Sequence, residues 1–339
     1  MKRKLEEWFG ILLVLLFMPT GLAAQDAKLV EAAKKEGGKV VVYGSLENDT
    51  MDLIADAFKK KTGLETEFWR ESANKVMDRV ISEYRAGKPL YDVALTNTPP
   101  MMFMQEAGAL TRYDSPSAQA FPKQVIKPKL GPEYRMSIIG IVYHAGIIKP
   151  ADAPKSLEDL LKPQYKGKVV MPDPSQHTTT AQWLASLYKV MGGKEKAEKF
   201  IHDLAATKPL LVESLTPAGA RITTGETPIG IAFLKNVVFY GKKGIPLDYV
   251  RLGKFMGDGQ AVALGTKAPH VNAGKAFMDF FLGDEGLKIM AGIGEFVTRK
   301  GIYPPLPDAD KIELVQMIEM DQKGYADKMA EYKKIFLQQ

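Results

Sequence analysis

Lys39-Val40-Val41-Val42-Tyr43-Gly44-Ser45 decides the fold. A run of β-branched residues reads as a buried strand, and Gly44-Ser45 reads as the turn that follows it. Ahead of it, Leu29, Val30 and Ala33 set a helical stripe that Gly37-Gly38 ends. Behind it, Leu53, Ile54, Ala57 and Phe58 share one face of a second helix that stops at Gly63, and Leu64 to Trp69 alternates as a second strand. Ser72 is placed to cap a third helix with Val76, Val80, Ile81 and Tyr84 inward. Gly87 ends that helix, and Tyr91 to Leu95 makes a third strand before the turn Thr96-Asn97-Thr98-Pro99-Pro100. Together these predict a βαβαβ unit with a parallel sheet.

In open α/β sheets ligands lie beyond the carboxyl ends of the strands, so Gly44-Ser45-Leu46, Arg70-Glu71-Ser72 and Thr96-Asn97-Thr98 are expected on one rim. Each turn leads into a helix start, whose unpaired N–H groups and partial positive charge suit a carboxylate, phosphate or phosphonate. Each is equally readable as an ordinary cap, and it is their convergence that points to a ligand. Arg70 is the best-placed guanidinium, either to grip an anion through two bonds or to pair at the surface with Glu71 or Asp78.

The pattern recurs further on. Met136 to Tyr143 is a strand, Ser156-Leu157-Glu158-Asp159 starts a short helix, and Lys168 to Met171 is another strand. The polar turn Pro172 to Thr180, with His177, Thr178 and Thr179, opens a helix through Trp183, Leu184 and Leu187. Ile229 to Leu234 and Val262 to Leu264 complete the strands, and Tyr325, Met329, Tyr332 and Phe336 space out a closing helix. Two such halves, connected in both directions, make a hinged cleft.

The start of the chain sets the compartment. Lys2, Arg3 and Lys4, the apolar run Trp8 to Met18 and the small-residue exit through Ala23-Ala24 have the parts of a cleavable secretory signal peptide, residues 1–24. An uncleaved anchor is the alternative, although the run is short for a bilayer span of about 20 residues. With no cysteine in 339 residues there is no lipid-attachment residue and no disulfide, so a freely soluble periplasmic protein is expected. The net charge of +6 falls to +5 without the leader and is spread in alternating signs, which argues against nucleic acid and leaves room for a small anion.

Several stretches resemble the periplasmic solute-binding proteins of ABC importers (extracellular solute-binding family 1), in the branch that includes the ferric-iron-binding proteins. They are Tyr91 to Leu95, Ile147-Ile148-Lys149-Pro150 with Ala153 to Leu161, Tyr165 to Val169 with Met171-Pro172-Asp173-Pro174, Gly225 to Gly230, Lys267 to Ala273, and Phe277 to Leu282 with Glu285-Gly286. The resemblance implies an α/β, two-lobed periplasmic-binding-protein (venus flytrap, type II) fold, each lobe a mixed sheet flanked by helices. It implies lobe 1 over residues 25–139 plus 265–310, lobe 2 over 140–264, and C-terminal helices over 311–339 packing across the lobes. It also implies a receptor without catalysis or cofactor, monomeric, that delivers its solute to an inner-membrane permease.

One departure matters. Iron-binding relatives carry two adjacent tyrosines where Val237 and Val238 stand here, within Lys235-Asn236-Val237-Val238-Phe239-Tyr240, and a valine has no donor for a hard cation. The histidines 144, 177, 202 and 270 show no metal-ligand spacing. The leading expectation is therefore a small organic anion (carboxylate, phosphonate or sugar phosphate) held by the three rims, by His177-Thr178-Thr179 and by Arg70, with Phe233, Asn236 and Tyr240 lining the second lobe. Ferric iron or a ferric chelate through Glu47, Tyr240 or a bound anion is the alternative. A secreted enzyme is the third reading, without a nucleophile elbow, His-Glu-x-x-His or P-loop to support it.

Overall fold

The computed structural model describes residues 20–338. The basic start and apolar run of the expected signal peptide lie outside the described residues, and α1 (Thr20–Lys35) passes through the expected cleavage point. The first unit is β1 (Lys39–Gly44), α2 (Asn48–Thr62), β2 (Glu65–Arg70), α3 (Ala73–Arg85), β3 (Val93–Asn97) and α4 (Thr98–Glu106). Short β4 (Leu110–Thr111) and β5 (Ile126–Lys127) lead to the long β6 (Gly131–His144). The second unit is β7 (Val169–Pro172), α5 (Thr178–Ser186), α6 (Tyr188–Met191), α7 (Lys194–Ala206), β8 (Leu210–Val212), α8 (Leu215–Thr224), β9 (Ile229–Phe233) and α9 (Lys235–Gly241). After β10 (Leu247–Tyr249), the long β11 (Lys254–Gly265) returns the chain to α10 (Val271–Phe281), α11 (Asp284–Gly292), β12 (Phe296–Val297), β13 (Glu313–Gln316) and α12 (Gln322–Leu337).

The strand path is β2-β1-β3-β11-β6-β9-β7-β8. Parallel pairs at each end (β1 with β2 and β3, β7 with β8 and β9) are joined through antiparallel β3–β11, β11–β6 and β6–β9. This is the two-lobed arrangement, each lobe a mixed sheet flanked by helices. The waist between them is the β6–β11 pair, because β6 pairs with β9 from Ile139 to Tyr143 and β11 pairs with β3 from Gln260 to Leu264.

Each lobe buries both sheet faces. In the first, Val42, Leu46, Ile54, Phe58, Phe277 and Phe281 pack on one side, and Tyr43, Val76, Val80, Met101 and Met104 on the other. In the second, Ile141, Trp183, Leu184 and Phe200 oppose a core of Val142, Val170, Ile222 and Phe255. Strands covered on both faces lose polar alternation, which is why the inner strands read as continuous apolar runs.

Several expectations need correction. Thr96 and Asn97 end β3 rather than forming a turn, since they pair with Ala261 and Gln260. The strand expected at Val262–Leu264 is the end of a twelve-residue β11 that is already on the first lobe's β3 by Gln260, ahead of the boundary placed at residue 264. Leu53 is exposed, while its neighbour Ile54 carries the helix's packing. Residues 311–339 are not all helix: β13 adds to β11 in parallel, and α12 lies on α5 and α7 with Tyr332 in the second lobe's core. The link before α12 touches both sides, through Glu319 with Lys127 and the Ile318 carbonyl with Gln182.

Gly44 is required by close approach. A Cβ there would lie 2.7 Å from Leu95 Cδ1 and 2.8 Å from the Leu95 carbonyl oxygen. Gly44→Ala should therefore destabilise the protein by about 1–3 kcal/mol in chemical unfolding, because a backbone atom cannot rotate away.

Candidate functional site

The register gathers the strand ends of the first lobe, since Gly44 aligns with both Arg70 and Leu95. Ser45 joins the rim by donating its N–H to the Leu95 carbonyl, while its hydroxyl lies 2.6 Å from that of Thr96, which is fully buried. Leu46 is wholly buried in the core, so its side chain packs rather than facing the rim. Arg70 ends the edge strand, exposed and without an ion-pair partner among the described residues, and Ser72 is exposed at the start of α3 without capping it. In the second lobe, His177 is a cap: its Nδ1 accepts the Thr180 N–H at 3.2 Å, and burial lowers its pKa, so the neutral ring carries its proton on Nε2. Thr178 is exposed and Thr179 half-buried in the first turn of α5.

The apolar wall expected from Phe233 and Tyr240 does not assemble. Phe233 packs against the core under α5 and α7, whereas Tyr240 packs against the opposite core and meets Phe239 edge-on at 5.0 Å. Asn236 is buried beside Gly219 of α8, where a Cβ would sit 2.2 Å from its amide nitrogen. Val237 and Val238 are buried in the core of the α8–α9 side.

The waist instead holds a cluster of charges. Arg135 of β6, 3% exposed, lies 2.5 Å from Glu295 and donates from Nε and Nη2 to Gln260 Oε1 of β11 at 3.0 and 2.8 Å. Lys235, the first residue of α9, reaches Glu295 at 3.0 Å and Glu47 at 2.5 Å, and the other Glu47 oxygen is 3.6 Å from Arg135. Glu47 thus ties the start of α2 to the start of α9 across the two lobes. Burial works against its charge, but Arg135 and then Lys235 outweigh that and bring its pKa down to about 2. Burial likewise opposes the charge on Lys235, and Glu295 and Glu47 overcome it to raise its pKa.

Glu47 stands at the N-cap of α2 without capping it, and Asn97 stands at that of α4, where Pro99 and Pro100 leave no N–H for its side chain to accept. Glu47 turns to Lys235, and the Asn97 amide donates to Asp258 of β11. Beside it Thr98 donates to Glu133 at 2.7 Å, and Lys127 lies 3.5 Å from Glu133 and 3.4 Å from Glu319. Sequence reading missed Glu133, Arg135, Asp258, Gln260 and Glu295. The available signal was polar residues at alternate positions of two otherwise apolar strands, Glu133 and Arg135 in one and Asp258 and Gln260 in the other.

Among the described residues no group of three or more His, Asp or Glu is placed to hold a metal ion. A cavity of about 670 Å³ lies on the outer flank of the first lobe, between Val30, Lys61, Ala276 and Phe280. It contains none of the rim residues, and its cations Lys34 and Lys61 already pair with Glu31 and Glu285.

A family model described as bacterial extracellular solute-binding protein matches residues 39–294. The chain belongs to that family. Among its relatives, an uncharacterised protein of Haemophilus influenzae is 26% identical over 318 residues, covering 88% of this chain and 90% of the relative. Two solved periplasmic binding proteins share the fold. AfuA from Actinobacillus pleuropneumoniae, with fructose-6-phosphate bound, has TM-score 0.64 and 22% identity, with 89% and 97% of the two chains covered. Iron-bound HitA from Pseudomonas aeruginosa has TM-score 0.66 and 20% identity, with 88% and 99% covered. As a member of its family, the chain is an extracellular solute-binding protein. No described helix is long and apolar enough to cross a membrane.

Asp258 gives the waist a pH dependence. Burial is the main cause that raises its carboxyl from the ordinary 3.8 to about 6; the Asn97 hydrogen bond opposes this, and Glu133 and Glu319 add to it. A raised acid stabilises the fold in its protonated form, so that contribution is complete below pH 3.8 and is lost as pH rises through about 6. Asp258→Asn, neutral throughout, should remove this slope. Between about pH 4 and 7 the native protein should lose up to about 3 kcal/mol relative to the variant in denaturant titrations.

Proposed function

We propose that this receptor captures a small organic anion (a carboxylate, phosphonate or sugar phosphate) between its lobes in the periplasm, after removal of its leader, and hands it unaltered to an inner-membrane permease as a monomer. The observation that carries the reading is that Arg135 from the waist and Lys235 from the second lobe converge on one carboxylate, Glu47, at the mouth of the first lobe. A carboxylate held by a guanidinium and an ammonium marks where an anion is stabilised. Arg70, exposed on the same rim, adds a cation that steers anions inward. The start of α2, without a side-chain cap, adds N–H groups beside it. Lobe 1 then comprises residues 25–139 with α10 and α11, lobe 2 the segment between β6 and β11 together with α12, and β6 and β11 form the hinge.

The ferric alternative has less behind it. Glu47 is already held by two cations, Val237 and Val238 face the core, and burial raises the Tyr240 phenol away from the phenolate that a ferric ion needs.

A panel of organic acids, phosphonates, sugar phosphates, polyamines and ferric salts, read by thermal unfolding, tests this. A cognate anion at 100 times its dissociation constant adds about 2.7 kcal/mol, and Lys235→Met should weaken it by about 1–3 kcal/mol. Stabilisation by polyamines or ferric salts alone would exclude an anionic guest.

A further inference from the structure

We infer that Glu47 is a tethered competitor for the anion position: without a guest its carboxylate occupies the Arg135–Lys235 pair and latches the lobes, and loading requires its exchange for the guest's anionic group. The inference rests on the anion reading of that pair and adds what fills it when no guest is bound.

The members of the cluster are not equivalent. Glu295 is 3% exposed and bonded to both cations, so it is a fixed part of the wall. Glu47 has a side chain about half exposed, at 47%, is free of any capping duty, and contributes one oxygen to each cation. Leaving means giving up the two cations that hold its pKa down at about 2, but Glu47 has only to turn into the water beside it, whereas Glu295 would have to leave a buried site. Glu47 belongs to the α2 end of the first lobe and Lys235 to α9 of the second, so this pair exists only while the lobes are together. Other ties brace the same junction, among them the Lys242 ammonium donating to the Gly292 carbonyl at 3.0 Å.

The consequence is a threshold on what binds. A tethered carboxylate competes at an effective concentration of about millimolar, so a simple monocarboxylate offers nothing that Glu47 does not already supply. A phosphate or phosphonate head brings a second negative charge and a third oxygen, and can reach the free N–H groups of α2 as well as the two cations. Glu47 thereby selects doubly charged heads over singly charged ones.

Inorganic phosphate is the probe, in calorimetric titrations of the full chain. Glu47→Gln keeps the shape of the side chain and removes its charge, and should bind phosphate about tenfold or more tightly than the native protein. Without phosphate, the same variant should show a larger radius of gyration by small-angle scattering. Lys235→Met should lose phosphate binding, and the double variant should regain none of it. Unchanged or weaker phosphate binding by Glu47→Gln, with Lys235→Met still defective, would overturn the competitor while leaving the anion pocket intact. Full phosphate affinity in Lys235→Met would overturn both, while the absence of phosphate binding in Glu47→Gln would overturn the competitor and its selection of doubly charged heads. A radius of gyration identical to the native one would remove the latch.

Discussion

A guanidinium buried at the waist constrains everything around it. Arg135, its side chain 3% exposed, keeps its charge at any working pH, so its donors need partners inside the protein. Gln260 meets two of them from the facing strand, and Glu295 supplies the counter-charge from the end of the α11 loop. Leaving such a charge without its partner costs about 3–5 kcal/mol, so the register of β6 against β11 and the position of residue 295 are fixed together. Those two strands are the connection between the lobes, and the ion pair therefore lies where the molecule bends.

From that anchor the cleft follows. The strands before and after the waist run into separate cores, each closed on both faces by helices. Only their carboxyl ends and the helix starts beyond them face the gap. Glu47 and Lys235 close it from opposite sides, while Asn97, Asp258, Thr98 and Glu133 form a second, mostly buried polar group nearby. In the proposed receptor, opening and closing would exchange contacts within a small set of charged side chains and leave the cores intact. A receptor needs this property if its permease is to distinguish loaded from empty.

The fold was legible because its signals are local. The run from Val40 to Tyr43, the stop at Gly63 and the turn after Gly87 each state their own structure, and a left-handed residue such as Gly63 (φ 75°) marks a helix end without help from distant chain. The site was less legible. Leu46 and Tyr240 were read by their nearness to a turn or to an expected motif, and both went to the core, because packing decides which face of a short segment is covered. Arg135 and Glu295 are 160 positions apart in sequence, and neither has a neighbour that announces the other.

The sequence by itself determined the strand and helix order, the rim formed by Gly44, Arg70 and Thr96, the absence of cysteine chemistry and the loss of the tyrosine pair at Val237 and Val238. All of these are properties of residue type and near spacing. Only the tertiary structure decided that Glu47, Arg135, Lys235 and Glu295 meet, that Asn97 holds Asp258, and that His177 caps α5. Such meetings depend on strand register and lobe placement, and a one-residue slip in β6 would turn Arg135 to the other face of the sheet.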